Sequence, residues 1–259
     1  MPDTSNLVLI LPLIVITFVL SYFGSTVGLM LGHFRLPILV YAMGSPLGAA
    51  GTNLGISMTG ALAGALFHMR EGRVNFRLLL TIGIPSMMGA IFSVLVVSQI
   101  NHDWLKLLIG VMLIHSGFKM MRAKASNESR KERSLRQSLL IEGAVGAAIG
   151  ALAGIVGLML GSVRIPAMIR VLKIDPKEAV GTNMAIGFLT GLVGAITSVL
   201  VADANLWIIA SVAPATLIGS YLGSRHVTKI DAQKLRQLLT WALFLTGGFM
   251  IAENFSKLN

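Results

Sequence analysis

Two arginines stand in the same unusual setting. Arg35 and Arg164 each follow a glycine-rich stretch, Gly24-Ser25-Thr26-Val27-Gly28 in one case and Gly154-Ile155-Val156-Gly157 in the other, and each precedes a proline by two residues. A guanidinium offers planar donors and a charge that does not titrate away, which suits it to a small oxyanion. An arginine at the end of an apolar segment also serves by snorkelling its charge to lipid headgroups. A single copy would favour snorkelling; recurrence brings the two readings level.

The second duplicated element is Gly51-Thr52-Asn53 with Gly181-Thr182-Asn183. About two turns into their helices, at a rise of about 1.5 Å per residue, Thr52, Asn53, Thr182 and Asn183 fall within the bilayer and must find partners. Interhelical hydrogen bonding beside a close glycine contact accounts for them. So does a pair of polar patches holding a substrate near the midplane. Pro85 and Pro214 also recur; each frees a carbonyl and kinks its helix, to fit a bent bundle or to line a pathway. With Gly28 and Gly157 they are the candidate kink and gating positions. The titratable groups in or near apolar segments are His68, His115 and Glu142, and a coupled proton would need such a group. None is duplicated: His115 is answered in the other half by Phe244, Leu245 or Thr246. His115 and Glu142 are carried forward as proton-coupling candidates, while Glu142 and His68 also fit the cytoplasmic interface. No phosphate-binding loop, no metal-type cluster of histidines and carboxylates and no Ser-His-Asp set is present, so no catalytic residue, metal or cofactor is expected.

The elements that must position these residues are apolar and long. Of 259 residues 54% are hydrophobic and 12% charged, and the mean hydropathy is +0.79. That composition belongs in a bilayer. Segments 7–32, 78–100, 138–163 and 179–202 approach or exceed the roughly 20 apolar residues that cross a hydrocarbon core. They lack the alternating polarity of barrel strands, so helices are expected. The net charge of +10 sits almost wholly between these runs, which points to a lipid bilayer and not to nucleic acid. There is no cysteine, hence no disulfide framework. The N-terminus has no basic region before its apolar stretch, so that segment is expected to be retained.

The motifs recur in order. Val27 to Pro37 and Val156 to Pro166 agree at eight of eleven positions. The chain therefore divides into a first repeat (1–121), a basic linker (122–137) and a second repeat (138–259). Each repeat reads as a glycine-rich segment (7–32; 138–163), a helix (46–67; 176–201), a proline-containing helix (78–99; 206–223) and a last helix (104–121; 232–252). Ser45-Pro46 and Asp175-Pro176 mark two helix starts, and Asp175 with Glu178 has the capping-box spacing.

Charge decides between topologies. If all eight segments cross, Lys and Arg divide 11 to 10 between the two sides. If 7–32 and 138–163 dip in and return, the division is 18 to 3 in favour of the side holding the linker. The positive-inside rule selects the second arrangement. Each repeat then has a re-entrant or broken helical hairpin plus three transmembrane helices. The two repeats are inverted, the linker is cytoplasmic and both termini are outside.

With the repeated Val-Gly-Leu-Met-Leu-Gly-x-x-Arg-x-Pro and the Ala/Val-Gly-Thr-Asn helix starts (Ala50 to Asn53, Val180 to Asn183), the chain resembles the TauE/SafE family, or sulfite exporters, over nearly its whole length. The resemblance implies outward transport of small sulfur-containing anions, such as sulfite or organosulfonates, across a prokaryotic inner membrane. By position it carries over to the Arg35 and Arg164 loops and to Thr52, Asn53, Thr182 and Asn183. His33 is answered by Ser162, so a role for that histidine cannot be shared. The expected mechanism is a secondary carrier, one half rocking against the other, with H+ or Na+ as an optional coupling ion. The alternatives are an anion-selective channel, an importer of another small organic or sulfur-containing solute, or a membrane scaffold without transport.

Overall fold

The computed structural model describes residues 4–96, 111, 114–115, 117–118, 121, 135–157, 159–227 and 232–255, and no strand occurs among them. Most of the fourth segment (104–121) and nearly all of the linker lie outside the described residues. The helices are α1 (Thr4–Thr26), α2 (Gly32–Met43), α3 (Pro46–Arg70), α4 (Phe76–Thr81), α5 (Gly83–Val96), α6 (Leu135–Val156), α7 (Gly161–Arg170), α8 (Pro176–Val201), α9 (Leu206–Val227) and α10 (Ala232–Phe255). Four stretches among them, Phe76–Val96, Leu135–Ile155, Pro176–Val201 and Leu206–His226, are long and apolar enough to cross a membrane. Large apolar side chains stand exposed along them, including Phe92, Leu140, Leu200 and Trp207, as a lipid-facing surface requires.

Local chemistry sets the helix boundaries. The Ser45 hydroxyl accepts from Gly48 N, with Pro46 at the first helical position of α3. Asp175 accepts from Lys177 N and Glu178 N and caps α8 in the same way. The expected capping box is only half made, because Glu178 accepts instead from Asn75 Nδ2 at 2.8 Å, across the repeats. One turn before Pro85 the helix opens at Ile82, separating α4 from α5, as a missing N–H and a ring clash dictate. Pro214 lies inside α9, which is helical on both sides of it.

The glycine-rich segments correct the sequence reading in detail. Neither folds back on itself within 7–32 or 138–163. α1 runs unbroken to Thr26, and the chain turns over 27–31 before the short α2, which replaces the loop expected around Arg35. Gly28 N bonds Ser25 O at 3.2 Å and Leu29 N bonds Gly24 O at 2.8 Å, the paired bonds of a Schellman turn around a left-handed Gly28 (φ 72°). Gly157 (φ 68°) ends α6 before α7 in the corresponding way. Both turns are buried in protein, the condition under which broken backbone is tolerated at membrane depth.

Packing interleaves the two repeats. α3 and α8 lie together at the centre, α1 packs on α9, and α6 packs on α5. The last two contacts are close because of small residues: Gly219 and Gly223 back onto Phe18 and Tyr22, and Gly146, Gly150 and Gly154 back onto Ile82, Ser86 and Ala90. Gly150 and Gly154 are thus packing surface, whereas Gly24, Gly28 and Gly32 belong to the turn and its neighbours. Each repeat contributes its first helix to the other, so the repeats are not separate bodies.

Candidate functional site

Arg35 and Arg164 occupy the first turns of α2 and α7, not loops, and both are buried, at 2% and 1% exposure. Their prolines gave no hint of this, since Pro37 and Pro166 read as breakers. Each proline is the sixth residue of its helix and removes one N–H donor to the preceding turn, a loss that the packing of α2 on α3 and of α7 on α8 must offset. Among the described residues no carboxylate pairs with either guanidinium.

Asparagines hold them. Arg35 Nε donates to Asn53 Oδ1 at 2.9 Å, and its Nη2 donates to Asn53 O at 3.3 Å and to Ser57 Oγ at 2.7 Å. Arg164 Nη1 donates to Asn183 Oδ1 at 3.1 Å. The same two amides reach into the opposite repeat: Asn53 Nδ2 donates to Gly157 O, and Asn183 Nδ2 to Gly28 O, each at 2.8 Å. Gly157 itself packs on Ala50, and Gly28 on Val180, the residues that open the two Gly-Thr-Asn elements. A closed circuit results. Arg35 binds Asn53, which holds the turn leading to Arg164; Arg164 binds Asn183, which holds the turn leading back to Arg35.

Thr52 and Thr182 are adjacent to this circuit without a hydrogen bond to either arginine. Thr52 Oγ1 accepts from Asn205 N at 2.8 Å, and Thr182 Oγ1 accepts from Asn75 N at 2.9 Å. Asn75 and Asn205, which the sequence reading passed over, in turn cap the starts of α4 and α9. The threonines therefore pin the loops of the opposite repeat, and the asparagines alone reach the guanidiniums. Their repetition at Asn75 and Asn205 was visible in the sequence as a capping signal outside any recognised motif.

The titratable candidates lie apart. His115 is exposed. His68 is fully buried beside Gly181, and neither ring nitrogen has a hydrogen-bond partner among the described residues. Glu142 is buried and accepts from Arg77 Nη2 at 3.2 Å through one oxygen, while the other has no partner among the described residues. The register that pairs Gly28 with Gly157 pairs Glu142 with Leu13, and that of the Gly-Thr-Asn elements pairs Arg77 with Trp207. Leu13 and Trp207 line a cavity of about 260 Å³ between α1, α2 and α9. An ion pair thus closes in one repeat what is a crevice in the other.

The pair is unequal, because the Arg77 side chain is 44% exposed and that of Glu142 only 2%. Arg77→Ala is expected to destabilise by about 3 kcal/mol, since it strands a buried carboxylate. Glu142→Gln is expected to cost about 1 kcal/mol, because Arg77 can turn to water. Thermal unfolding in detergent reads the order, and equal losses would show that the pair shares its burial.

The chain resembles known proteins along nearly its whole length. Residues 13–250 match the family described as Sulfite exporter TauE/SafE. A probable membrane transporter protein of Methanocaldococcus jannaschii is 30% identical, over 94% of this chain and 96% of that protein. Two probable membrane transporter proteins of Bacillus subtilis are 24% and 27% identical, over 93% and 90% of this chain and 97% and 95% of their own lengths. No solved structure matches. With the duplicated Arg-x-Pro and Gly-Thr-Asn elements meeting at the centre of a helical membrane bundle, the chain belongs to the TauE/SafE family of membrane transporters.

Proposed function

We propose that this protein is a secondary carrier that exports small sulfur-containing anions, sulfite or an organosulfonate, across a prokaryotic inner membrane, with Arg35 and Arg164 as its anion-binding groups. The observation that carries the reading is the burial of two guanidiniums with no carboxylate partner among the described residues. An arginine at the centre of a membrane helix costs about 3 kcal/mol on insertion scales. Neutral acceptors on Asn53, Ser57 and Asn183 offset that only in part, and a bound anion supplies the missing countercharge. Export needs no further driving ion. An inside-negative potential is worth about 2.3 kcal/mol per charge per 100 mV and expels anions, which agrees with the absence of a duplicated titratable residue.

The interleaved packing changes the expected motion. Because α1 is carried on α9 and α6 on α5, the natural moving bodies are these two mixed pairs working against α3 and α8, not one repeat rocking on the other. Counterflow of labelled sulfite in proteoliposomes tests transport: saturable uptake accelerated by internal sulfite is expected. Its absence, or unsaturable conductance, would overturn the carrier reading.

The reading includes inverted repeats, with 71–75 cytoplasmic and 202–205 outside. In this cysteine-free chain, Glu71→Cys and Asp203→Cys place single labels at two exposed turns. An impermeant maleimide added to intact cells is expected to label the second and spare the first. Labelling of both from one side would refute inversion.

A further inference from the structure

The two arginines are not equally satisfied. Arg35 gives three hydrogen bonds, the third to Ser57 Oγ at 2.7 Å. Among the described residues Arg164 gives one, to Asn183, and its buried Nε has no acceptor. The unspent Nε follows from the turn of the guanidinium, and the missing hydroxyl bond from the sequence. The register that pairs Asn53 with Asn183 pairs Ser57 with Gly187, so the second repeat has no hydroxyl where the first repeat supplies one. The position admits a small side chain. A methyl group added at Gly187 would meet Met159 Sδ at 3.5 Å and Ala61 Cβ at 3.8 Å, which is ordinary contact. The two guanidiniums also turn differently: Arg35 spends Nε on its asparagine, whereas Arg164 spends Nη1 and keeps Nε unspent.

We infer that the anion rests on Arg164, in the space beside Gly187, and that Arg35 is held by Ser57 as a weaker second station. This rests on the anion-carrier reading above and names the half of the site that does the binding. The ligand is a small oxyanion: one oxygen accepts from the unspent Nε, the atom that Asn53 satisfies at Arg35, and another stands where the Ser57 hydroxyl stands beside Arg35. Sulfite, with three oxygens on one sulfur, can accept from Nε while its other oxygens reach further donors. Because position 187 carries no hydroxyl, Gly187 can give Arg164 no acceptor like the one Ser57 gives Arg35.

Titration calorimetry of the purified full chain with sodium sulfite tests the inference by exchanging the two residues. Gly187→Ser is expected to weaken sulfite binding about 10- to 100-fold, because the new hydroxyl satisfies Arg164 internally. Gly187→Ala, which adds bulk without an acceptor, is expected to weaken it much less. Ser57→Gly, which frees Arg35 and leaves Arg164 as it is, is expected to cost much less affinity than Gly187→Ser. In the Ser57→Gly, Gly187→Ser double variant the sensitivity moves, so that Arg35→Ala becomes more damaging than Arg164→Ala. Equal losses for Gly187→Ser and Gly187→Ala would overturn the inference by reducing it to a size effect. So would a loss for Ser57→Gly as large as that for Gly187→Ser. Wild-type protein that binds no sulfite at all would bring down the anion-carrier reading itself, a result distinct from symmetric losses in a protein that binds.

Discussion

Arg164→Ala is expected to lower sulfite counterflow at sub-saturating substrate by at least about 30-fold, since truncating one partner of a buried charge-assisted contact costs about 2–5 kcal/mol. The fold should survive. The substitution leaves only Asn183 Oδ1 short of a donor, at about 1–3 kcal/mol, and removes a buried cation whose insertion costs a similar amount. Arg164→Lys keeps the charge without the planar fork and is expected to restore part of the rate. Arg35→Ala differs in kind, because it strands Asn53 Oδ1 and Ser57 Oγ together. It should melt at a lower temperature while transport falls less. Activity and thermal unfolding measured on the same preparations separate the two arginines. Unchanged counterflow in Arg164→Ala would remove that residue from the pathway, and equal thermal losses would mean that both are structural.

Gly157→Ala is expected to destabilise by about 3 kcal/mol or more, through backbone strain and overpacking together. Gly157 has φ 68°, where an alanine is strained, and a methyl group there would overlap Ala50, including its backbone. Backbone cannot rotate aside, so Ala50→Gly is expected to rescue little. Gly28→Ala meets the same strain at φ 72°, but its obstacle is the Val180 side chain, with Cγ atoms at 2.7 and 2.9 Å. Val180→Ala should therefore recover the packing share of the Gly28→Ala defect. The fraction of monodisperse protein after detergent extraction, together with its unfolding temperature, reads both. A Gly157→Ala variant as stable as wild type would show that the turn is free to reshape.

These turns explain what was legible. α8 is found where the sequence puts it, at 176–201, because an aspartate cap, a proline at the first helical position and an unbroken apolar run all act within a few residues of one another. The short helices α2 and α7 were not legible. They are too brief to cross a membrane and carry a proline and a buried arginine, features that local reading assigns to a loop, and it is their packing on α3 and α8 that makes them helical. Of the site, the four polar positions of the two Gly-Thr-Asn elements were visible as a repeat. Their division of labour was not: adjacent residues on a helix point in different directions, and only the position of the opposite repeat sends threonine to a loop and asparagine to a guanidinium.

By itself the sequence determined a helical membrane protein made of two copies of one pattern, with an arginine after a glycine-rich stretch in each, because composition, length and recurrence are properties of the chain alone. The tertiary structure decided that the copies interlock, that each asparagine spans from its own arginine to the other copy's turn, and that Arg35 is satisfied where Arg164 is not. Such facts depend on which groups meet across more than a hundred residues. A hydrogen bond is made or lost over tenths of an ångström, which only the assembled bundle specifies.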